Sequence, residues 1–339
     1  MNTAVSSRPP SAGSTGVARR AAAARDAFGA QNISLLIALA LLVAVIGSQN
    51  QDFFRTSNLI NIGVAISVLG VVSIVMTVVI VSGGLDISVG STAGLASVAA
   101  AGALTAVDSA AFGIAAGVAI GAVAGAVNGL IITFGRVNPV IATLATYSAY
   151  RGVAFALTDG KAVAVDNDTF IALGSDRIWG IPYPVIVLVL VAIGFFVFLR
   201  YTDIGRNVYA IGGNAVASRL AGISLTKYRL GIYTLSGAVA GLAGVLLTAK
   251  TLAGEPSAGT QGLELEAITA ALLGGCALAG GKGTIVGALL GVTIIGVLDN
   301  GLILLNVPSF YQLIAKGALL VLAVMIQEWR TGRVRGALA

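Results

Sequence analysis

Ten apolar runs, separated by short polar or glycine-rich connectors, dominate this 339-residue chain and leave it few folds to adopt. They cover roughly residues 32–48, 59–81, 89–107, 112–134, 140–157, 185–199, 230–252, 265–278, 285–305 and 311–326. A helix needs about 20 apolar residues to cross the hydrocarbon of a bilayer, and helices satisfy their own backbone groups there. The sequence therefore predicts an all-α polytopic membrane protein of about ten transmembrane helices. Several runs are shorter than a full crossing, so two or three are expected to be re-entrant or deeply buried. Charged residues make up only 10% of the chain, where a soluble domain carries about a quarter. The 45 glycines suit helices that approach closely in lipid. Pro139, Pro182, Pro184 and Pro308 fall at or beside proposed helix ends, where proline is tolerated.

Between the second and third runs lies Ser82-Gly83-Gly84-Leu85-Asp86-Ile87-Ser88-Val89-Gly90-Ser91. A carboxylate between two spans is costly in hydrocarbon unless it faces protein or water. Broken backbone at membrane depth survives only where it is buried or lines a cavity. Two readings stand: a pathway-lining break containing Gly83, Gly84, Asp86, Ser88 and Ser91, or a tight turn in which Asp86 and Ser88 cap the next helix. The first is favoured. A weak internal echo places Val127-Asn128-Gly129-Leu130 in one run and Asp299-Asn300-Gly301-Leu302 in another. In the predicted topology the two copies run in opposite directions, as in the inverted repeats of transporters.

Lys and Arg set the orientation. With an even number of spans and an inside N-terminus, the inside sections hold 14 of the 20 cations, including Arg136, Arg200, Arg206, Arg219, Lys227, Arg229 and Lys282. The outside loops hold Arg55, Lys161 and Arg177, and the longest, 158–184, is acidic with Asp159, Asp166, Asp168 and Asp176. Arg151, Lys250 and Lys316 fall within spans and are expected to snorkel toward an interface. Both termini are thus expected in the cytoplasm. Residues 1–30, with Arg8, Arg19, Arg20 and Arg25, read as a disordered basic arm rather than a cleaved signal, with a short surface helix over 21–30 as an addition. Residues 31–328 form the transmembrane domain and 329–339 a short cytoplasmic tail.

The longest inside loop, 200–229, contains Gly212-Gly213-Asn214-Ala215-Val216-Ala217-Ser218-Arg219-Leu220-Ala221-Gly222. Asn214 suits an N-cap and Gly222 a C′ position, bounding about two turns of helix. Val216 and Leu220 share one face, with Ser218 and Arg219 elsewhere. This predicts a rigid cytoplasmic knob that a partner could grip; the plainer reading is a solvated connector.

Several function classes are excluded. Histidine is absent, which removes His-based metal sites and Ser-His or Cys-His nucleophiles, so no metal site and no catalytic residue is expected. The single cysteine, Cys276, permits no internal disulfide. The segment 275–283 approaches a phosphate-binding loop, but its lysine, Lys282, comes one place late and is followed by glycine. ATP hydrolysis by this chain alone is not expected. The net charge of +6 reads by position and does not signal nucleic acid.

The chain resembles the permease subunit of ribose-type sugar ABC importers over residues 32 to 328. The resemblance is carried by the 82–91 stretch and by Gly135-Arg136-Val137-Asn138-Pro139-Val140-Ile141-Ala142-Thr143-Leu144. It continues in Gly205-Arg206-Asn207-Val208-Tyr209-Ala210-Ile211-Gly212-Gly213-Asn214 and Leu278-Ala279-Gly280-Gly281-Lys282-Gly283-Thr284-Ile285-Val286-Gly287. The resemblance implies a bacterial inner-membrane half-channel that pairs with a second copy or paralogue. It would be fed by an extracytoplasmic sugar-binding protein and driven by ATP-binding cassette ATPase subunits, which would hold the ATP and magnesium. Its ten-helix plan resembles vitamin B12-type importers, in which the helix between spans six and seven docks into the ATPase. By position that assigns coupling to Gly213, Asn214, Ala215, Val216, Arg219, Leu220 and Gly222. Asp86 and its neighbours would sit near the path or inner gate.

A sugar is bound through hydroxyl and amide side chains and an aromatic face, which makes Asn128, Asn138, Thr143, Thr146 and Tyr147 the remaining path candidates. Thr143 shares a face with Thr146 and Tyr147, although hydroxyls in spanning helices commonly bond their own backbone or a neighbouring helix. The competing class is an ion-coupled secondary transporter with Asp86, Asp299, Arg151 or Lys316 as a relay. Within the ABC class, a branched-chain amino acid, nucleoside or autoinducer could replace the sugar.

Overall fold

A computed structural model describes residues 13–259 and 262–336. The helices are α1 (Gly13–Gln49), α2 (Thr56–Val81), α3 (Val89–Ala106), α4 (Ala110–Thr133), α5 (Pro139–Thr158), α6 (Asp168–Ser175) and α7 (Tyr183–Tyr201). They continue with α8 (Asp203–Gly213), α9 (Ala215–Leu220), α10 (Leu225–Thr251), α11 (Leu263–Leu273), α12 (Ile285–Leu304) and α13 (Ser309–Gly336). Four two-residue strands pair antiparallel: β1 (Val163–Ala164) with β4 (Ala253–Gly254), and β2 (Arg177–Ile178) with β3 (Ile181–Pro182). Among the described residues nine helices are long and apolar enough to cross a membrane: α2, α3, α4, α5, α7, α10, α12, Gln31–Gln49 of α1 and Ser309–Gln327 of α13.

The eighth apolar run is the exception. The sequence predicts a span over 265–278, but α11 stops at Leu273 after 11 residues, and at 1.5 Å per residue it covers only about half the hydrocarbon. Gly274 ends it, and Gly275, Gly280, Gly281 and Gly283 all take positive φ, which turns the chain through an irregular loop before α12. The expected basic arm falls partly outside the described residues, which begin at 13; the backbone from Gly13 on belongs to α1. Residues 337–339 of the tail lie outside them as well.

The centre of the fold is α2, whose residues Val71, Val72, Ile74, Val75, Met76 and Val78–Val81 are fully buried. It is apolar on every side because α7, α10, α11 and α12 surround it. A second seam joins α4 to α10 through glycines. A Cβ at Gly121 would lie 2.7 Å from the Gly241 Cα, and one at Gly237 would lie 2.6 Å from the Gly125 nitrogen. Larger residues would force these antiparallel helices apart, so backbone contact replaces side-chain packing there. The outward faces of α1, α7 and α13 carry exposed Leu41, Val45, Leu190, Ile193, Ile314 and Val321, as lipid-facing surfaces do. After α10 the chain does not leave this body. A turn beyond β4, at 256–259, lies against α3, where a Cβ at Gly94 would lie 2.8 Å from the Ala258 carbonyl and 2.9 Å from that of Pro256.

Candidate functional site

The polar break between α2 and α3 is the centre of a hydrogen-bond network that joins four helices. Asp86 is 1% exposed. Its Oδ1 accepts from the Ser88 backbone nitrogen at 3.0 Å and from the Ser88 hydroxyl at 2.6 Å. Its Oδ2 accepts from the Ser236 hydroxyl of α10 at 2.7 Å. Ser88 in turn accepts from Asn128 Nδ2 of α4 at 2.7 Å, and Tyr150 of α5 donates to Asn128 Oδ1 at 3.3 Å and to the Ala124 carbonyl at 2.8 Å. The Ile87 nitrogen donates to Thr143 Oγ1 at 3.1 Å, and Tyr233 of α10 donates to the Leu85 carbonyl at 3.0 Å. Ser236 is near the middle of the 27-residue α10, so the acid sits close to mid-span. Both carboxylate oxygens have partners, as a buried acid requires.

The structure therefore brings Asp86, Ser88, Asn128 and Thr143 together and buries all four. Ser91 is buried too, its hydroxyl donating to the Ser88 carbonyl at 2.9 Å. Within this chain these residues are buried and hydrogen-bond helices to one another. Thr146 is buried with its hydroxyl 3.1 Å from the Ala142 carbonyl, the self-bonding expected of threonine in a helix. Tyr147 is half-buried one turn on from Thr143. Asn138 lies apart: it is exposed and caps α5, accepting from the Val140 nitrogen at 2.9 Å.

The second component is a junction made of backbone alone. The carbonyl of Val81, at the end of α2, accepts from the Gly281 nitrogen at 2.8 Å. Gly212, in the last turn of α8, lies against both: a Cβ there would overlap the Val81 carbonyl oxygen and stand 2.6 Å from the Gly281 nitrogen. A Cβ at Gly280 would meet the Gly212 Cα and the Gly83 Cα, each at 3.0 Å. Gly83 and Gly280 also hold φ near +84° and +85°, a region that side chains disfavour. Three segments distant in sequence (82–84, 212–213 and 280–281) thus meet where no side chain fits. Tyr209 of α8 fastens the assembly by donating to the Gly283 carbonyl at 2.8 Å; burial holds its hydroxyl above the ordinary range, so it stays a donor.

From this junction projects α9. Asn214 caps it, accepting from the Ala217 nitrogen at 3.0 Å, and Gly222 follows at φ +84°. Gly213 is the last residue of α8, and Ala215 opens α9. Ser218 is buried and turned inward, while Val216 and Leu220 are 72% and 84% exposed. The result is a short capped helix with two bare apolar side chains and Arg219 on its exposed surface.

One cation behaves otherwise than expected. Lys316 does not snorkel: its Nζ lies 2.7 Å from Glu266 Oε1 of α11 and 2.9 Å from Asp299 Oδ2 of α12, tying α13 to both. The two carboxylates supply the partners that a partly buried ammonium needs. The copies of the internal echo each carry an inter-helix amide: Asn128 on Ser88, and Asn300 paired with Asn58 of α2 at 2.7 and 3.0 Å. Sequence reasoning missed α8, Ser236, Tyr150, Tyr233 and Gly212. For α8 the signals were present: Thr202 caps it by accepting from the Gly205 nitrogen at 3.0 Å, and Val208 and Ile211, three apart, are its buried face.

Against known proteins, the family described as Branched-chain amino acid transport system / permease component matches residues 58–324. A ribose import permease protein of Bacillus subtilis (strain 168) is 42% identical over 88% of this chain and 93% of its own length. The ribose import permease protein of Escherichia coli (strain K12) is 42% identical over 86% of this chain and 92% of its own length. An L-arabinose transport system permease protein of the same strain is 38% identical over 87% of this chain and 90% of its own length. No solved structure matches.

Proposed function

The chain belongs to the permease-component family of the branched-chain amino acid transport system type, and on that premise we propose that it is the transmembrane permease subunit of a bacterial sugar ABC importer. The observation that carries this reading is its 42% identity, over nearly the full length of both chains, to permeases that import ribose. It forms the translocation path for a monosaccharide together with a second permease copy or a paralogue. An extracytoplasmic binding protein delivers the sugar. Separate ATPase subunits bind ATP and magnesium and supply the work, and this chain performs no catalysis of its own.

The protein is a multi-pass inner-membrane protein. Both termini face the cytoplasm, the side on which the connectors are rich in Arg and Lys. On that side α9 seats in a groove of the ATPase through Val216, Leu220 and Arg219. Motion of α9 reaches α8 through Asn214, which caps one helix and ends the other. It reaches the break at Asp86 through the Gly212–Val81–Gly281 contact, where no flexible side chain absorbs the displacement. The 82–88 loop acts as an inner gate: the Asp86 network holds α3, α4, α5 and α10 in one arrangement, and pulling on Gly83 rearranges it. The dimer path is completed by residues the second copy brings opposite α5, with Asn138 and Tyr147 on the accessible side.

The test is reconstitution in liposomes with the ATPase and binding-protein subunits of a ribose-type importer, measuring uptake of labelled ribose and arabinose. ATP-dependent uptake of one of them is expected, with no ATP hydrolysis by the permease alone. Uptake driven by an ion gradient without ATP would refute the reading.

A further inference from the structure

At the end of the molecule opposite α9, the outer turns of α2, the end of α6, the β2–β3 hairpin and the last turn of α10 surround a half-open cavity of about 300 Å³. That volume is at the lower end of those that take small molecules. Asn61, Ser175, Arg177 and Lys250 line it with polar groups, and Val64 and Pro182 give it an apolar floor. Among the described residues neither cation is held in an ion pair. Asp176, between two lining residues in sequence but outside the lining itself, accepts from the Ser175 hydroxyl at 3.1 Å. With two cations and no carboxylate in its lining, the cavity is positive.

Its setting says where the balancing charge comes from. The β2–β3 hairpin turns on Trp179 and Gly180, both at positive φ, the geometry of a tight two-residue turn. This turn thrusts Ile178, Trp179 and Ile181 outward, and Trp179 is 97% exposed. Helix α7 starts directly after β3 and carries exposed Val189, Leu190 and Ile193. The hairpin tip thus sits at the head of a lipid-facing helix, where an amphipathic indole belongs. A cationic cavity beside an indole at the edge of the bilayer matches a lipid that joins an anionic phosphate to acyl chains.

We propose that this cavity binds the phosphate of an anionic phospholipid, with Trp179 lodged among the headgroups beside it. The Arg177 guanidinium offers its fork to two phosphate oxygens and Lys250 adds a point charge. Asn61 and Ser175 are within the same lining for the hydroxyls of a glycerol headgroup. The inference requires only that α2, α7 and α10 cross a bilayer, so it stands or falls apart from the transport reading.

The chain has two tryptophans, so Trp329→Phe leaves Trp179 as the sole indole. That variant, in phosphatidylcholine nanodiscs, is given equal mole fractions of phosphatidylglycerol or phosphatidylcholine brominated in the upper acyl chain, and quenching of Trp179 is read. Severalfold stronger quenching by phosphatidylglycerol is expected. On that background Arg177→Gln with Lys250→Gln should remove most of that preference, bringing quenching to about the phosphatidylcholine level. Equal quenching by the two lipids in the single-tryptophan protein would overturn the proposal, whether or not the triple variant folds. So would a preference that survives the charge removal, or one abolished by soluble glycerol phosphate, which would mark a free-anion site. Loss of binding-protein association in the triple variant with quenching unchanged would assign the cavity to a protein partner and overturn it too.

Discussion

Adjacent glycines at 212 and 213 allow the backbone junction to be tested with a single methyl group. A Cβ at Gly212 would overlap the Val81 carbonyl oxygen and come within 2.6 Å of the Gly281 nitrogen, whereas one at Gly213 meets nothing within 4 Å. Both residues belong to α8, so Gly→Ala should favour each by up to about 1 kcal/mol of helix propensity. At Gly213 that gain stands alone. At Gly212 the obstructing atoms are backbone and cannot rotate aside, so overpacking costs about 1–3 kcal/mol. Parting Val81 from Gly281 removes a hydrogen bond worth about another 1 kcal/mol. The expected net for Gly212→Ala is a loss of about 1–3 kcal/mol, a few degrees in melting temperature. The more telling readout is coupling. If the junction carries motion from α9 to the 82–88 loop, its disruption should lower binding-protein-stimulated ATPase and uptake by about 5- to 150-fold at unchanged membrane insertion. Gly213→Ala should leave both within error of wild type. Equal behaviour of the two variants in melting and in uptake would refute the reasoning.

Three further outcomes follow from the geometry. Asp86→Ala strands the Ser236 and Ser88 hydroxyls in a dry interior, so it should lower the melting temperature and abolish uptake, while Asp86→Asn, which refills the volume, should melt closer to wild type; a melting curve for Asp86→Ala matching wild type would count against the network. Lys316→Met leaves Glu266 and Asp299 facing one another and should cost about 3–5 kcal/mol, with stability largely restored by adding Glu266→Gln and Asp299→Asn; thermal denaturation of the single and triple variants checks it. Arg219→Asp with Leu220→Asp should release the ATPase on size exclusion while insertion is unchanged, and a complex that stays intact would remove α9 from the interface.

What the sequence disclosed is what local pattern encodes. The apolar runs became helices because length and hydropathy decide that choice within each segment, and α9 was legible because its caps, Asn214 and Gly222, lie within the helix's own neighbourhood. The partners of Asp86 were not legible: Ser236 lies 150 residues away, and many hydroxyls could have served equally. Lys316 looked like a snorkelling residue for the same reason, since Glu266 is 50 residues distant and no periodicity links the two. The short α11 was half-visible. Gly274-Gly275 broke the run in plain sight, but a hydropathy window averages across such a break, and only the positive φ values show the helix ending there. Gly212 gave no signal, because a glycine chosen for what touches it looks like any other in a chain with 45.

Helix α11 also bears on how the protein is made. Ahead of its 11 residues the turn at 256–259 lies against α3, with a Cβ at Gly94 only 2.8 Å from the Ala258 carbonyl, and the helix is left through a run of glycines at positive φ. Such a segment, handed alone to lipid, would carry bare amides and carbonyls into oil. Within the fold α11 is covered by α2, α12 and α13, so its short helix and glycine-rich exit are shielded from lipid only once those neighbours are in place.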